Sequence, residues 1–300
     1  MNEFSRLLLK YRQKRKMTQK ELAEKLSYSH PQLRGTNTVT LSRWETGTTE
    51  PGATKKSLVI RFFAQEGCLE DAECLEILDH KYRVEILEIL TQLFQKRYQY
   101  IIGNSPDFGT EGYRVLPLCE VEDPSNSIDL LLDIERVSNV PGYYRVDHEK
   151  IESWCRHPAT LALVVQRKGQ QLGHYLMIKI HDEVAEEIAY RRRGQYEVDP
   201  EDLCSPETPG TYYIHALYGS NPRIAAILNV EAYRHFLRHY DRIHNILIFS
   251  SRKDGAEITK DYGIRRVASG VDPEYGIQWY GMLSPVGEVL FSEKLIRGIF

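Results

Sequence analysis

Two helix-forming segments near the N-terminus constrain the fold of this chain more than any other feature of its sequence. Thr18, with Glu21 three residues later, forms a capping box and predicts the start of one helix. A second short helix is predicted over Asn37–Glu45 and ends at Gly47, a residue type that favours helix ends. Between them lies a polar stretch, Ser27–Thr36, in which proline and glycine break the helical pattern. The sequence therefore predicts two helices joined by a turn.

Apolar residues in this region predict that the helices pack on one another. Leu41 and Trp44, three residues apart, share the buried face of the second helix. Flanking segments carry the same helical periodicity, from about Phe4 to Lys14 and from about Ala53 to Glu66. We therefore predict an all-α head over residues 1–66.

The head and the rest of the chain carry opposite net charges. The first 66 residues contain 13 Lys/Arg and 6 Asp/Glu, whereas the remainder contains 26 basic and 36 acidic residues. A basic head on an acidic body favours contact between the head and a polyanion such as DNA. Chance clustering of charge is the alternative, and the charge balance alone does not exclude it.

Two motifs in the head, Thr18-Gln19-x-Glu21-Leu22-Ala23 and Thr40-Leu41-Ser42-Arg43-Trp44-Glu45-x-Gly47, resemble the phage-repressor/Cro-type (XRE) helix-turn-helix family. The resemblance covers about residues 3–66. It implies that the second helix enters the major groove of double-stranded DNA with its N-terminal residues at base edges. The connection over residues 27–36 is several residues longer than is usual in that family, which leaves the angle between the two helices open.

The same resemblance implies roles for individual side chains of the head. Base contacts are implied for Asn37, Thr38, Val39 and Arg43, and phosphate contacts for Gln19, Thr46, Lys55 and Lys56. Arg43 is suited to bidentate pairing with guanine, and Val39 to packing on a thymine methyl group. An ion pair between Arg43 and Glu45, or another nearby acid, is the alternative for that arginine.

Residues 67–111 are predicted to form a helical linker region. Tyr82, Ile86, Ile89 and Leu93 lie at alternating four- and three-residue spacing, which makes a two-heptad apolar seam. Such a seam is equally compatible with a dimerisation helix and with a helix that packs within its own domain. Gly103–Gly112 is predicted to be the linker into a second domain.

Beyond residue 112, predicted helices and strands alternate. Leu161–Arg167 and Leu172–Ile180 are predicted strands joined as a hairpin through Lys168-Gly169. The other expected elements are strands Tyr113–Cys119, Thr211–Tyr218 and Asn245–Ser250, helices Ser127–Val137, Asp147–Arg156, Asp182–Arg193, Arg223–Tyr240 and Gly255–Tyr262, and a final pair of elements near Gln278–Leu283 and Glu288–Phe291. The predicted fold class is therefore multidomain, an all-α helix-turn-helix head followed by an α+β (mixed-sheet α/β) domain over residues 112–300.

The order of elements in the second domain resembles the GNAT acyltransferase fold over nearly 190 residues. That family holds the pyrophosphate of acyl-CoA at the start of its central helix, where Arg223, Ile224, Ala225 and Ala226 stand here. The resemblance thus implies acetyl-CoA or another acyl-CoA as a ligand, although alanines replace the family's glycines and a plain helix start is the alternative.

Acyl transfer also requires a base and an acid. The resemblance places the base near His215 on the central strand, where a histidine with a purely structural role is the alternative. The family's usual tyrosine acid falls on Thr259, whose hydroxyl is far too weak an acid to serve. We therefore expect a degenerate domain without catalytic activity.

Other features narrow the class of protein. His235 and His239 have a spacing compatible with metal binding, but no third ligand accompanies them, so a solvated histidine face and no metal site are expected. Five cysteines without a CxxC pair predict reduced thiols. The N-terminus lacks the pattern of a signal peptide and no run of residues is long and apolar enough for a membrane span, which predicts a cytoplasmic location and no membrane partner.

The sequence as a whole predicts a cytoplasmic transcriptional regulator that binds DNA sequence-specifically. Because so small a head contacts few base pairs, we expect a homodimer on a palindromic operator. The second domain is expected to sense a small-molecule effector or to mediate assembly. The alternative is an active GNAT N-acyltransferase tethered to DNA.

Overall fold

The computed structural model describes residues 2–97, 112–139 and 144–300, and the head within it contains four helices. They are α1 (Glu3–Lys14), α2 (Gln19–Ser29), α3 (Thr38–Thr46) and α4 (Ala53–Gln65). The predicted capping box is present, because the Thr18 hydroxyl accepts from the Glu21 N–H at 3.2 Å while the Thr18 N–H donates to the Glu21 carboxylate at 2.7 Å. Asn37 caps α3 by accepting from the Thr40 N–H. The predicted helices of the head are therefore confirmed as elements.

The long connection between α2 and α3 is ordered rather than open. It contains a short 3₁₀ turn, Pro31–Leu33, and the Leu33 side chain is fully buried. Thr36, also buried, donates its hydroxyl hydrogen to the Leu33 carbonyl oxygen. The extra residues thus add a packed turn to the head.

The elements after the head alternate as follows: α5 (Ala72–Lys81), α6 (Leu87–Arg97), β1 (Tyr113–Pro117), α7 (Pro124–Ser138), α8 (His148–Arg156), β2 (Leu161–Arg167), β3 (Gln170–Ile180), α9 (Asp182–Ala189), β4 (Gly210–Gly219), α10 (Pro222–Arg238), β5 (Ile243–Ser250), α11 (Lys253–Asp261), β6 (Arg266–Val271), β7 (Gln278–Pro285), α12 (Val286–Leu290) and α13 (Glu293–Ile299). A π-helical turn, Tyr82–Ile86, joins α5 to α6.

A seven-stranded mixed sheet organises the second domain, as predicted. Its strand order is β1-β2-β3-β4-β5-β7-β6, and β4 with β5 is the parallel pair among otherwise antiparallel neighbours. The hairpin between β2 and β3 turns at Lys168 and Gly169, with φ of 51° and 78°, values that two-residue turns of this kind require.

Two expectations for the C-terminal part are wrong. Glu288–Phe291 does not form the second element of a pair with Gln278–Leu283, because residues 286–290 are helical. On one side β7 pairs with β5, and on the other with β6, a strand that the sequence did not indicate. Its residues, Arg-Val-Ala-Ser-Gly-Val, are mostly exposed or half-buried and lack the alternation that identifies a strand.

The sheet has an apolar core on each face. Successive residues of β3 alternate between them, since Tyr175 and Met177 belong to one core and Leu176 and Ile178 to the other. Helices α7, α8 and α9 cover the second core. The first core is continuous with the apolar interior of the head. None of the helices in the described ranges has the length and apolar character needed to cross a membrane.

The apolar seam at residues 82–93 is buried against other elements of the same chain. Tyr82 and Ile86 are fully buried, Leu93 is buried, and Ile89 packs against the same core, in which α6 lies along α10. Of the two alternatives for this seam, packing within the chain is therefore the one that the structure shows. The predicted linker Gly103–Gly112 lies outside the described residues except for Gly112.

The C-terminal helices join the head to the second domain. The Ser57 hydroxyl on α4 donates to the Phe291 carbonyl oxygen, and the Lys56 ammonium group donates to a main-chain oxygen of Phe300. The Tyr82 hydroxyl donates to the Leu290 carbonyl oxygen. The head therefore packs directly on residues 286–300, the C-terminal segment that follows β7.

Candidate functional site

Four residues at α3 lie at the surface of the head. Asn37, Thr38, Val39 and Arg43 are all exposed, and Val39 has 60% of its surface accessible. An exposed valine beside polar groups at a helix N-terminus suits contact with thymine methyl groups and base edges. All four predicted base-contacting residues are therefore exposed on the protein surface.

A buried carboxylate fixes α3 against the first two helices. Glu45, only 4% exposed, accepts from Arg12 at 2.5 and 3.0 Å and from the Gln19 amide at 2.7 Å. Because Glu45 is committed to these donors, it does not pair with Arg43. Within the described ranges, no ion pair of Arg43 is found, so its guanidinium group is available at the surface.

The predicted phosphate contacts fall into two groups. Lys55 and Thr46 are exposed near α3, and Gln19 is half-buried against Glu45. Lys56 is 6% exposed, and its ammonium group is bound to Glu50 at 2.6 Å and to Phe300. This corrects the prediction for Lys56, because a buried and paired lysine cannot reach a phosphate group.

In the second domain, β4 and β5 separate to form a cleft. Their pairing ends at Ile214 and Ile248, although both strands continue beyond these residues. At the same point β4 has an extra residue, because Leu176 and Met177 of β3 pair with Ala216 and Ile214 and leave His215 as a bulge. A cavity of about 150 Å³ occupies the fork, which we call the β4/β5 cleft.

His215 lines the β4/β5 cleft among aromatic rings. Its Nε2 lies 2.9 Å from the Tyr144 hydroxyl, and the Trp154 ring meets it edge-on. Burial lowers the pKa of His215 to about 3, which keeps the ring neutral at ordinary pH. So weak a base does not retain an abstracted proton, which argues against the predicted role of His215 as the general base.

Glu135 on α7 also lines the β4/β5 cleft, and sequence reasoning missed it. Burial raises the pKa of its carboxyl group to about 7, although the charge of Arg252 and a hydrogen bond from Asn139 act in the opposite direction. A carboxylate with a pKa near neutrality suits general base catalysis. Its position three and four residues after Leu132 and Leu131, both buried, was the available signal.

Thr259 stands where the GNAT resemblance expects a tyrosine as the general acid, and the structure gives its hydroxyl other partners. Thr259 is 1% exposed, and its hydroxyl bonds to the Ala256 carbonyl oxygen and to the Met282 sulfur. Tyr262 packs with Phe94 in the core that contains the head. The β4/β5 cleft is instead lined by Tyr144, Tyr196, Tyr213 and Tyr218, and the Tyr144 hydroxyl lies 2.9 Å from His215 Nε2.

Two of the backbone N–H groups at the start of α10 are already hydrogen-bonded within the chain. The Asn221 side chain accepts from the Ile224 N–H at 3.0 Å, its carbonyl oxygen accepts from the Ala225 N–H at 3.2 Å, and Pro222 has no N–H. Ile224, Ala225 and Ala226 are fully buried. The predicted cradle is therefore corrected to a capped helix start.

Two features remain at this helix start. A Cβ atom at Gly219 would lie 2.5 Å from the Ala225 nitrogen, so the strand and the helix meet too closely for a ligand to pass between them. Arg223 is half-buried, and no hydrogen-bond partner of its Nε exists in the described part of the chain. The Arg223 side chain is therefore the one predicted anion ligand here that retains free donors.

The two histidines at the end of α10 have different environments. His235 Nε2 lies 2.8 Å from the Tyr212 hydroxyl, and burial lowers the pKa of His235 to about 3. His235 is thus half-buried and hydrogen-bonded rather than part of a solvated face, while His239 is exposed. Over the described ranges, no three His, Cys, Asp or Glu side chains converge as metal ligands.

Comparisons with known proteins give structural similarities alone. No protein-family model matches the sequence, and a search of curated proteins finds no match. Among solved structures, FeeM, an N-acyl amino acid synthase from uncultured soil microbes, is 11% identical with a TM-score of 0.39, covering 58% of this chain and 90% of its own. The ribosomal-protein-alanine N-acetyltransferase from Brucella melitensis is 15% identical with a TM-score of 0.36, covering 58% and 98%.

A GNAT family acetyltransferase from Elizabethkingia anophelis with acetyl-CoA bound is 12% identical with a TM-score of 0.36, covering 59% of this chain and 99% of its own. Similarities at this level assign neither an activity nor a substrate to this chain.

Proposed function

We propose that the β4/β5 cleft transfers an acyl group from a thioester such as acyl-CoA to an amine, with Glu135 as the general base. The observation that carries this proposal is the carboxyl group of Glu135, which lines the cleft and has a pKa of about 7. A carboxylate with that pKa is half deprotonated at neutral pH and still basic enough to take the proton that the amine nitrogen loses as the C–N bond forms.

The chemistry balances with the groups in the β4/β5 cleft. The amine nitrogen attacks the thioester carbonyl carbon, a C–N bond forms and the C–S bond breaks. Glu135 accepts the proton that the nitrogen loses and returns it, directly or through solvent, to the departing thiolate, so that the products are the amide and the free thiol and the carboxylate is restored. Tyr144 and His215 form a hydrogen-bonded neutral pair at 2.9 Å that shapes the wall of the cleft. Because Asn221 occupies two of the backbone donors at the start of α10, the Arg223 side chain is the donor that we assign to the phosphates of a CoA thioester.

Thiol release from acetyl-CoA and longer acyl-CoA esters, measured with a panel of amines, tests this proposal. Glu135→Gln should abolish turnover, whereas Asp133→Asn, on the exposed side of the same helix, should leave it unchanged. The wild-type rate should rise with pH through about 7 as Glu135 loses its proton, and level off above it. Acyl-CoA binding without turnover would instead assign a sensing role to the β4/β5 cleft, and turnover that survives in Glu135→Gln would contradict the proposal.

A second function, sequence-specific DNA binding by the head, is favoured by the exposed face of α3. The Arg43 guanidinium group, Val39 and the polar residues Asn37 and Thr38 are exposed there, and the basic charge of the head suits the phosphate backbone. Together the two proposals describe an acyltransferase tethered to DNA, which we propose acts as a dimeric regulator on a palindromic site.

Selection of binding sites from random duplexes, followed by a mobility-shift titration, tests DNA binding. Arg43→Ala should weaken binding to the selected site by about 1–3 kcal/mol and relax the sequence preference at one base pair. Arg136→Ala removes an equally positive and exposed side chain from α7, far along the chain from the head, and should not change binding. An unchanged sequence preference in Arg43→Ala would contradict the proposed orientation of α3.

A further inference from the structure

A second cavity lies between the head and the second domain. It has a volume of about 510 Å³, and we call it the interface cleft. From the head it is lined by Leu58, Arg61 and Phe62 of α4, and from the second domain by Ile243, Val286 and Glu288. It is separate from the β4/β5 cleft, with which it shares none of its lining residues.

The guanidinium group of Arg61 is one of several polar groups that line the interface cleft. Its side chain is 26% exposed, and its Nε is buried without a hydrogen-bond partner in the described part of the chain. A buried donor left unpaired is unfavourable, so native proteins usually satisfy such a group with a protein atom, a water or a ligand.

The nearest acidic group does not neutralise Arg61. Glu288 approaches Arg61 Nη1 only to 4.0 Å, while its other carboxylate oxygen lies 2.7 Å from Arg265. One carboxylate thus serves two arginines. His244, which also lines the interface cleft, has its ring nitrogen 2.6 Å from Asp182 and adds no negative charge to the wall. A positive charge therefore remains at the cleft.

Apolar side chains complete the wall around this charge. Leu58, Phe62 and Ile243 all contribute to the apolar core that spans the head and the second domain. Arg61 also lines a neighbouring cavity in which the Ser292 hydroxyl is buried without a partner among the described residues. A cationic donor beside an apolar wall is complementary to a ligand with one anionic group on an apolar body.

We propose that the interface cleft binds a small organic anion, of the carboxylate class with an apolar body, and that the ligand bridges the head and the second domain through Arg61. The carboxylate accepts from the Arg61 guanidinium group, and the apolar part lies between α4 and the residues that begin β5 and α12. Ser29 and His30, at the end of α2, border the same cavity. The ligand therefore contacts the element that precedes the turn of the head.

Octanoate, with octylamine as the cationic counterpart of equal length, is a suitable probe for the intact chain. Calorimetry should show octanoate binding to the wild-type protein, binding weakened about tenfold or more in Arg61→Gln, and no binding of octylamine. Arg156→Gln is the matched control, because it removes an exposed arginine on α8 that does not line the cavity, and it should retain binding.

The location of the probe is measured independently of any variant. Nuclear Overhauser contacts in the wild-type protein should connect octanoate to the methyl groups of Leu58 and Val286. Absence of octanoate binding, equal binding by Arg61→Gln, or contacts confined to β4/β5 cleft residues such as Ile248 would each overturn the proposal. None of these outcomes depends on acyl transfer at Glu135.

Discussion

Replacing Ile296 with alanine tests whether the head and the second domain unfold together. Ile296 lies on α13, is fully buried, and belongs to the core that runs from the head to the sheet. Truncating a buried isoleucine to alanine costs about 2–5 kcal/mol of unfolding free energy, through lost burial and the cavity left behind. If head and second domain share one cooperative core, the head loses the same free energy although the mutation is nearly 250 residues away from it along the chain.

Amide hydrogen exchange, followed on peptides from α1–α3, measures this loss in the head itself. A cost of about 2–5 kcal/mol corresponds to exchange that is faster by about 30-fold to about 4,000-fold, because each 1.4 kcal/mol is a factor of ten. Arg297→Ala changes the next residue, whose side chain is 72% exposed, and should alter exchange little. Unchanged exchange in α1–α3 of Ile296→Ala, with faster exchange in the sheet, would refute the shared core.

Two further predictions concern buried polar groups. Burial lowers the pKa of His174 from 6.5 to about 3, so the unfolded chain takes up a proton below about pH 6.5 and the folded one does not until about pH 3. The free energy of unfolding should therefore fall as the pH decreases through that window, by at most about 1.4 kcal/mol per pH unit for this residue, and urea midpoints of His174→Leu should show a shallower fall. Glu45→Ala leaves Arg12 without its partner in the head and should lower stability by about 3 kcal/mol, measured by urea unfolding; a loss below about 1 kcal/mol would mean that solvent replaces the ion pair.

Local signals in the sequence predicted most elements but not their packing. The capping box at Thr18, the cap at Asn37 and the hairpin at Lys168-Gly169 are contiguous patterns, and each appears in the structure where it was predicted. The resemblance to the helix-turn-helix family implied that Lys56 contacts a DNA phosphate, which requires an exposed side chain. The burial of Lys56 depends on Phe300, 244 residues later, and no local pattern contains that information.

The candidate sites also differ in whether local sequence patterns or long-range packing determine them. The exposed α3 residues Val39 and Arg43, four apart on one side of the helix, could be predicted from helical spacing alone. The β4/β5 cleft depends on where two strands stop pairing and on a bulge at His215, which are properties of the sheet and not of either strand. Glu135 acquires its altered pKa from burial under other elements, so its chemistry follows from tertiary structure even though its place on an apolar helix face was visible.

The way α4 packs on residues 286–300 limits how this head can be transplanted. Helix-turn-helix heads are attractive cassettes for chimeric proteins, and a cut after residue 66 would follow the charge boundary of this sequence. Such a cut separates Ser57 from the carbonyl oxygen of Phe291 and exposes the side of α4 that Leu295 and Ile296 help to cover. The excised head would carry a contiguous apolar patch, a surface that promotes self-association. A soluble graft would therefore require either the C-terminal segment supplied as a fused partner or polar substitutions along that side of α4.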